Sequence, residues 1–277
     1  MSVSTVQPEM TTVSAGAVRL GARRRSGAGG RPVLLVHGLS SNARLWDLVG
    51  ARLAADGHPV VAVDLRGHGR SHTVPDDGSD PTRTAAADLA AICDGEGLAA
   101  PVVAGQSWGG NVVLQLAADR PDLVHGLVLV DGGWLHLGDR FADVDAAWEQ
   151  LAPPVLTGLP RHELRRRLTT AHPEWADEAI DASLANLEPL PDGTVRPWLD
   201  RGRHRAIVAS LLGHRPRDLY PRVRCHTVLL AASTGNPLVT EAMAALPAAT
   251  LQEFPDGDHD LHAQHPNDVA AAIGGLI

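Results

Sequence analysis

Val102-Val103-Ala104-Gly105-Gln106-Ser107-Trp108-Gly109-Gly110 is an apolar run that ends in Gly-Gln-Ser-Trp-Gly, and a helical pattern follows from Asn111 to Asp119. The spacing predicts a strand, a sharp turn and a helix. Gly105 and Gly109 flank the serine because a turn this tight leaves no room for side chains on either side of it. Backbone strain at Ser107 then presents its hydroxyl at the strand's C-terminal end. The helix directs its positive N-terminal end at the same point, where a developing oxyanion could sit.

Other short apolar runs lie on both sides of this stretch. Pro32–Val36, Val60–Val63, Leu127–Val130 and Thr227–Ala231 are too short for helices and read as buried strands of a parallel sheet. Thr250–Phe254 is a weaker strand, and Val13–Arg25 alternates enough for two short antiparallel ones. Helical segments separate them: Ala43–Ala55, with Leu45, Leu48, Val49 and Leu53 on one face, then Thr84–Gly95, and a last one from Asn267 to Ile277. Strands alternating with helices predict an α/β fold, a mostly parallel sheet flanked by helices on both faces. From Trp134 to Arg217 the rhythm changes. Helices expected at Val144–Leu151, His162–Thr170, Glu174–Leu187 and His204–Leu212 are separated by Pro153-Pro154, Pro160, Pro173, Pro189, Pro191 and Pro197. This predicts an inserted helical cap over residues 134–217, a core over 12–133 and 218–277, and a flexible tail over 1–11. Pro75 to Pro81 is polar and expected to be mobile.

A chain of 277 residues with 44% hydrophobic and 20% charged residues can bury a large core. Its net charge of -8 argues against a nucleic-acid partner. Arg supplies every fixed positive side chain, and the absence of Lys removes Schiff-base and Lys-base chemistry. Cys93 and Cys225 match no metal spacing or disulfide framework and suit a reducing cytoplasm. The polar N-terminus has no apolar signal segment, and no run is long enough to span a membrane. The expectation is a cytoplasmic protein acting on a small molecule, with no cofactor, metal, nucleic acid or membrane; the oligomeric state is open.

Four motifs in order, the His37-Gly38 loop, Asp64-x-Arg66-Gly67-x-Gly69-x-Ser71, Gly105-Gln-Ser107-Trp-Gly109 and a late Asp258-His259, resemble those of the α/β-hydrolase superfamily. The resemblance runs from Val13 to the C-terminus. It implies an eight-stranded sheet with ligands bound beyond the carboxyl ends of its strands. It assigns Ser107 as nucleophile, His259 as base, and the N–H groups of Leu39 and Trp108 as the oxyanion hole. The chemistry agrees: a serine hydroxyl needs a base within hydrogen-bond reach, and an imidazole can take that proton and return it to the leaving group.

In most members the acid follows the strand that Thr227–Ala231 matches. Here that loop is Ser233-Thr-Gly-Asn236-Pro237, and the position falls on Asn236. A neutral Asn cannot stabilise an imidazolium. Some members place the acid after the strand that follows the elbow helix, which is Asp131, and the order Ser107, Asp131, His259 is retained. Asp131 is therefore the expected acid. Asp256, Asp258 and Asp260 are the fallbacks, although they stand too close to His259 in sequence to orient it well.

His37 is expected to order its loop by hydrogen bonding, and Asp64 and Arg66 to pin theirs. His259, Asp260, His262 and His265 match no zinc pattern, and Arg165–Arg167 reads as a solvated helix face. Trp134, Trp148, Trp175 and Trp198 supply most of the cap's aromatic surface, with Trp134 and Trp148 the candidates for lining a substrate cavity. The resulting expectation is a serine hydrolase that cleaves an ester or lactone through an acyl-enzyme. Two alternatives stand beside it. One is amide or carbon–carbon cleavage, since Ser-Trp-Gly elbows also resemble those of prolyl aminopeptidases. The other is a non-hydrolytic binding member of the fold. Dehalogenase and epoxide-hydrolase chemistry is disfavoured because position 107 is Ser.

Overall fold

The computed structural model describes residues 7–75 and 78–277. Ten strands and ten α-helices are defined along it. The strands are β1 (Glu9–Ala15), β2 (Val18–Arg25), β3 (Val33–Val36), β4 (Val60–Val63), β5 (Val102–Gln106), β6 (Gly126–Val130), β7 (Leu187–Pro189), β8 (Val195–Pro197), β9 (His226–Ala231) and β10 (Ala249–Glu253). The helices are α1 (Asp47–Ala55), α2 (Pro81–Gly95), α3 (Trp108–Asp119), α4 (Val144–Leu151), α5 (Arg161–Ala171), α6 (Asp177–Ser183), α7 (Arg201–Gly213), α8 (Pro237–Ala245), α9 (Leu261–Gln264) and α10 (Pro266–Gly274).

Eight strands form one sheet in the order β1-β2-β4-β3-β5-β6-β9-β10. β1, β2 and β4 pair antiparallel, and every pair from β4 to β10 is parallel. The four central strands β3 to β6 are buried at every residue. This explains their uninterrupted apolar sequence, because side chains of alternate residues face two different cores. Leu34, Val36, Val103, Leu127 and Leu129 face a cluster with α2 and α3. Val33, Leu35, Val102, Ala104, Val128 and Val130 face a second one with Trp46, Leu53, Leu261 and Ile273. All the parallel strands end on one edge, so the loops after β3, β4, β5, β6, β9 and β10 gather there.

The 134–217 segment holds α4 to α7 and the hairpin β7–β8. It packs in two ways. Ala147 of α4 and Ile207, Val208 and Leu211 of α7 join the first core. Leu164, Trp175, Ile180, Leu184, Leu187 and Val195 form a third cluster, to which the sheet domain contributes Leu45 and Ala263.

Two expectations need correcting. The flexible tail expected over 1–11 does not hold at 9–11, where Glu9, Met10 and Thr11 pair with Arg24, Arg23 and Ala22 in β1–β2; residues 1–6 lie outside the described residues. The first half of β1 is mostly exposed, so its ladder leaves no apolar alternation in the sequence. The helix expected over Glu174–Leu187 is confined to Asp177–Ser183, followed by a single 3-10 turn and then β7. Pro189 and Pro191 force extended backbone there. Of the polar stretch from Pro75 to Pro81, residues 76–77 lie outside the described residues, and Asp80 caps α2 by accepting from the Arg83 N–H at 2.9 Å. Among the described residues no helix is long and apolar enough to cross a membrane.

Leu127 is fully buried between β5, β9 and the helix layer. Leu127→Ala is expected to cost about 2–5 kcal/mol, read as a lower urea midpoint with an unchanged denaturant slope.

Candidate active site

Ser107 stands between β5 and α3 with φ 54° and ψ -124°. Among the described residues, the non-glycine positions with positive φ are Ala100, Ser107 and Asp131. Such backbone is costly and persists only where its surroundings enforce it. At Ser107 the surroundings are close-packed. A Cβ on Gly105 would lie 2.3 Å from the Gly109 carbonyl oxygen, and one on Gly109 would lie 2.5 Å from that of His37. The Ser107 N–H donates to the Val130 carbonyl at 3.0 Å, and the Gly110 N–H donates to the Ser107 carbonyl at 2.9 Å. The first bond joins the elbow to the end of β6, one residue before Asp131.

Asp131 follows β6 with φ 41°. Its N–H donates to the Leu230 carbonyl at 2.8 Å, and its Oδ1 accepts from the Ala232 N–H at 3.1 Å. These bonds fix the carboxylate against β9 and leave Oδ2 free to accept a hydrogen bond from His259 Nδ1–H at 2.6 Å. A carboxylate acceptor there favours the tautomer with the proton on Nδ1, which leaves the lone pair on Nε2. Burial lowers the His259 pKa, but the hydrogen bond and charge of Asp131, with smaller contributions from Asp260 and Asp258, outweigh it and leave the value above the ordinary one. Gln106 Nε2 donates to the His259 carbonyl at 2.9 Å, so the residue before the serine holds the backbone of the histidine.

Asn236 is occupied elsewhere. Its side chain accepts from the Leu238 N–H at 3.0 Å and caps α8. Asp258 accepts from the Asp260 N–H at 2.8 Å, and burial raises the Asp260 carboxyl to about 6.

Trp108 directly follows Ser107, and Gly38, the residue before Leu39, packs against the elbow, where an added Cβ would lie 3.0 Å from the Ser107 Cβ. Trp108 is the first residue of α3, so its N–H has no acceptor within the helix. Its ring is buried, and its Nε1 donates to Thr82 Oγ1 at 3.0 Å, which makes the ring a packing element. His37 behaves as a loop-ordering residue. Its Nε2 accepts from the Leu65 N–H at 3.0 Å, its Nδ1 donates to the Gly38 carbonyl at 2.7 Å, and burial lowers its pKa to about 4. Asp64 accepts from the N–H groups of Ala43 and Arg70, and Arg66 pairs with both oxygens of Asp88 at 2.7 and 2.8 Å. His262 is buried against Trp46, whereas His265 packs on Phe254, so the late histidines have separate neighbours.

A cavity of about 640 Å³ opens beside the loop after β3. Ser40, Ser41 and His68 line it from the sheet domain; from the 134–217 segment Leu164, Leu168, Leu184, Leu187, Trp198 and Leu199 line it together with the polar Arg167, Asn186, Arg196, Asp200, Arg201 and His204, and Ser107 and His259 are not among its lining residues. Trp134 and Trp148 are not among its lining residues. Trp134 is drawn into the first core directly after the Gly132-Gly133 turn, and Trp148 packs beneath Arg201 and Arg205. Trp198 lines it instead.

The sequence profile of the alpha/beta hydrolase family matches residues 33–272. The chain belongs to this family. Lipase LipV of Mycobacterium tuberculosis is 32% identical over 269 residues, covering 92% of this chain and 97% of the lipase. Esterase Rv0045c of the same organism is 41% identical over 127 residues, 45% of this chain and 39% of that one. Among solved structures, E-2-(acetamidomethylene)succinate hydrolase superposes with a TM-score of 0.77 at 21% identity, covering 97% of this chain and 98% of that one, a likeness of fold. Within this hydrolase fold, sequence reasoning missed Gln106, His68, whose Nε2 donates to the Leu39 carbonyl at 2.6 Å, and Asn111, which holds the N–H of Gly133 and the carbonyl of Leu135. These residues act across distant contacts and leave no local pattern.

The raised His259 pKa fixes the direction of a pH dependence. The ring must be neutral to accept a proton, so kcat/KM should rise with pH through an inflection above the usual histidine value of about 6.5. Asp131→Asn removes the charge that raises the His259 pKa, so any residual activity should show its inflection at lower pH.

Proposed function

We propose that this hydrolase cleaves a carboxylic ester or lactone of a partly apolar small molecule through an acyl-enzyme on Ser107. The bond of His259 Nδ1 to Asp131 Oδ2 at 2.6 Å carries the reading, because it pairs an imidazole with a carboxylate beside a strained serine. The lipase similar over nearly its whole length supports ester chemistry. Ser107 Oγ gives its proton to His259 Nε2 and attacks the carbonyl carbon. The N–H groups of Leu39 and Trp108 hold the resulting oxyanion, a contribution of several kcal/mol in comparable sites, about 3–4 per donor. Asp131 stabilises the imidazolium and keeps the ring in the required tautomer. Collapse expels the alcohol, which takes the proton from His259. Water then attacks the acyl carbon, gives its proton to His259, and releases the carboxylate as Ser107 Oγ recovers the proton.

The apolar cavity suits the acyl or alcohol part of such a substrate. Ser40 and Ser41 directly follow Leu39 in the chain and line this cavity, so the reading sets the ester on that side and the hydrocarbon under the cap.

A fluorophosphonate should label the wild-type protein and leave Ser107→Ala unlabelled; an unlabelled wild type would favour a non-hydrolytic ligand binder. Asp131→Asn should lower ester turnover at least about a hundredfold with the fold intact, and near-normal turnover would place the acid elsewhere. Leu168→Trp fills the cavity, so kcat/KM for long-chain p-nitrophenyl esters should fall about tenfold while that for the acetate changes little.

A further inference from the structure

The loop that carries His259 is gripped from the cap side by three residues of one turn. Asp258 Oδ2 accepts two hydrogen bonds, from His172 Nδ1 at 3.0 Å and from Trp175 Nε1 at 2.8 Å. The His172 ring stacks on the Trp175 ring at 4.1 Å, so the two donors form one unit. The other oxygen of Asp258 accepts from the Asp260 N–H at 2.8 Å and closes the backbone around the intervening His259. Gln264 adds a second strap. Its Oε1 accepts from the Asp258 N–H at 2.7 Å, and its Nε2 donates to Glu174 Oε2 at 3.0 Å. Apolar packing follows the same path, since Trp175 shares the third cluster with Ala263 of α9.

From this geometry we infer that Asp258 is a positioning residue through which the cap sets the catalytic base: closing the cap turn of His172 to Trp175 onto Asp258 and aligning His259 are one event. His259 has three restraints. Asp131 holds the ring, Gln106 holds the carbonyl from the elbow side, and Asp258 holds the following N–H from the cap side. The third alone depends on the cap. A cap that lifts to admit substrate releases Asp258, and the imidazole loses its aim until the cap returns. The enzyme is then fully competent only when the cavity under the cap is covered, which limits water at the acyl carbon during acylation. The inference rests on the reading of His259 as the base.

The test uses two variants of the full chain. Asp258→Asn keeps an oxygen for the Asp260 N–H and turns an amide against the two cap donors. Trp175→Phe removes one donor and keeps the ring on His172. Asp258→Asn should lower kcat by about ten- to a hundredfold with KM within about twofold, the pattern of a misaimed base. Trp175→Phe should show a smaller loss in the same direction. In a His259→Ala background, Asp258→Asn should cause no further loss of the residual turnover of an activated aryl ester. Amide exchange at Asp260 should quicken in both variants, a readout independent of catalysis. Wild-type kcat in both variants, an equal loss in the His259→Ala background, or unchanged exchange at Asp260 would overturn the coupling. If His259→Ala retained full activity, the base reading would fail and the coupling of cap to catalysis with it, while faster exchange would still report the mechanical latch.

Discussion

The hydrogen bond from His259 Nδ1 to Asp131 Oδ2 joins two loops 128 residues apart, and the rest of the site is arranged around it. For that bond to form, the carboxylate must point out of the sheet edge directly after β6. The backbone there takes a left-handed turn at φ 41°, which is unfavourable for an aspartate. Two bonds to β9 hold it, through the Leu230 carbonyl and the Ala232 N–H. A side chain strained into one direction and bonded on one oxygen has lost little freedom that the second bond must still remove. The Asp131 carboxylate is thus preorganised for its bond to His259.

The same logic applies at Ser107. The elbow is strained at φ 54°, and its N–H is tied to the Val130 carbonyl, so Ser107 and Asp131 share one short run of backbone hydrogen bonds across β5 and β6. Glycines make the contact possible. A Cβ on Gly132 would fall 2.1 Å from the Ser107 carbonyl oxygen, which explains a small residue just after Asp131. On the proposed reading, with Asp131 as the acid, the loop after β9 has no catalytic duty. Asn236 there caps α8, a task suited to a neutral side chain.

Much of this was legible in the sequence for a physical reason. Central parallel strands are buried on both faces, so β3 to β6 stand out as unbroken apolar runs, and the glycines of the elbow mark a turn with no space for a Cβ. Asp131 could be singled out because Asn236 stands where an acid is usual and Asp131 ends the neighbouring strand. Other features left no such mark. β1 is held by a backbone ladder with mostly exposed side chains in its first half, and β7 and β8 are three residues each. The aromatic residue lining the cavity was not legible, because whether Trp134, Trp148 or Trp198 faces it depends on how α4 and α7 pack. The grip of Asp258 on His172 and Trp175 spans more than eighty residues and rests on one carboxylate that sequence alone cannot tell from a solvated one.

The most direct measurement is a crystal structure of the protein after reaction with a fluorophosphonate. The account predicts the phosphonyl group on Ser107 Oγ and its oxygen about 2.7–3.1 Å from the N–H groups of Leu39 and Trp108, with His259 Nδ1 still on Asp131. Phosphonylation of another residue, or a His259 ring paired with a different carboxylate, would contradict it.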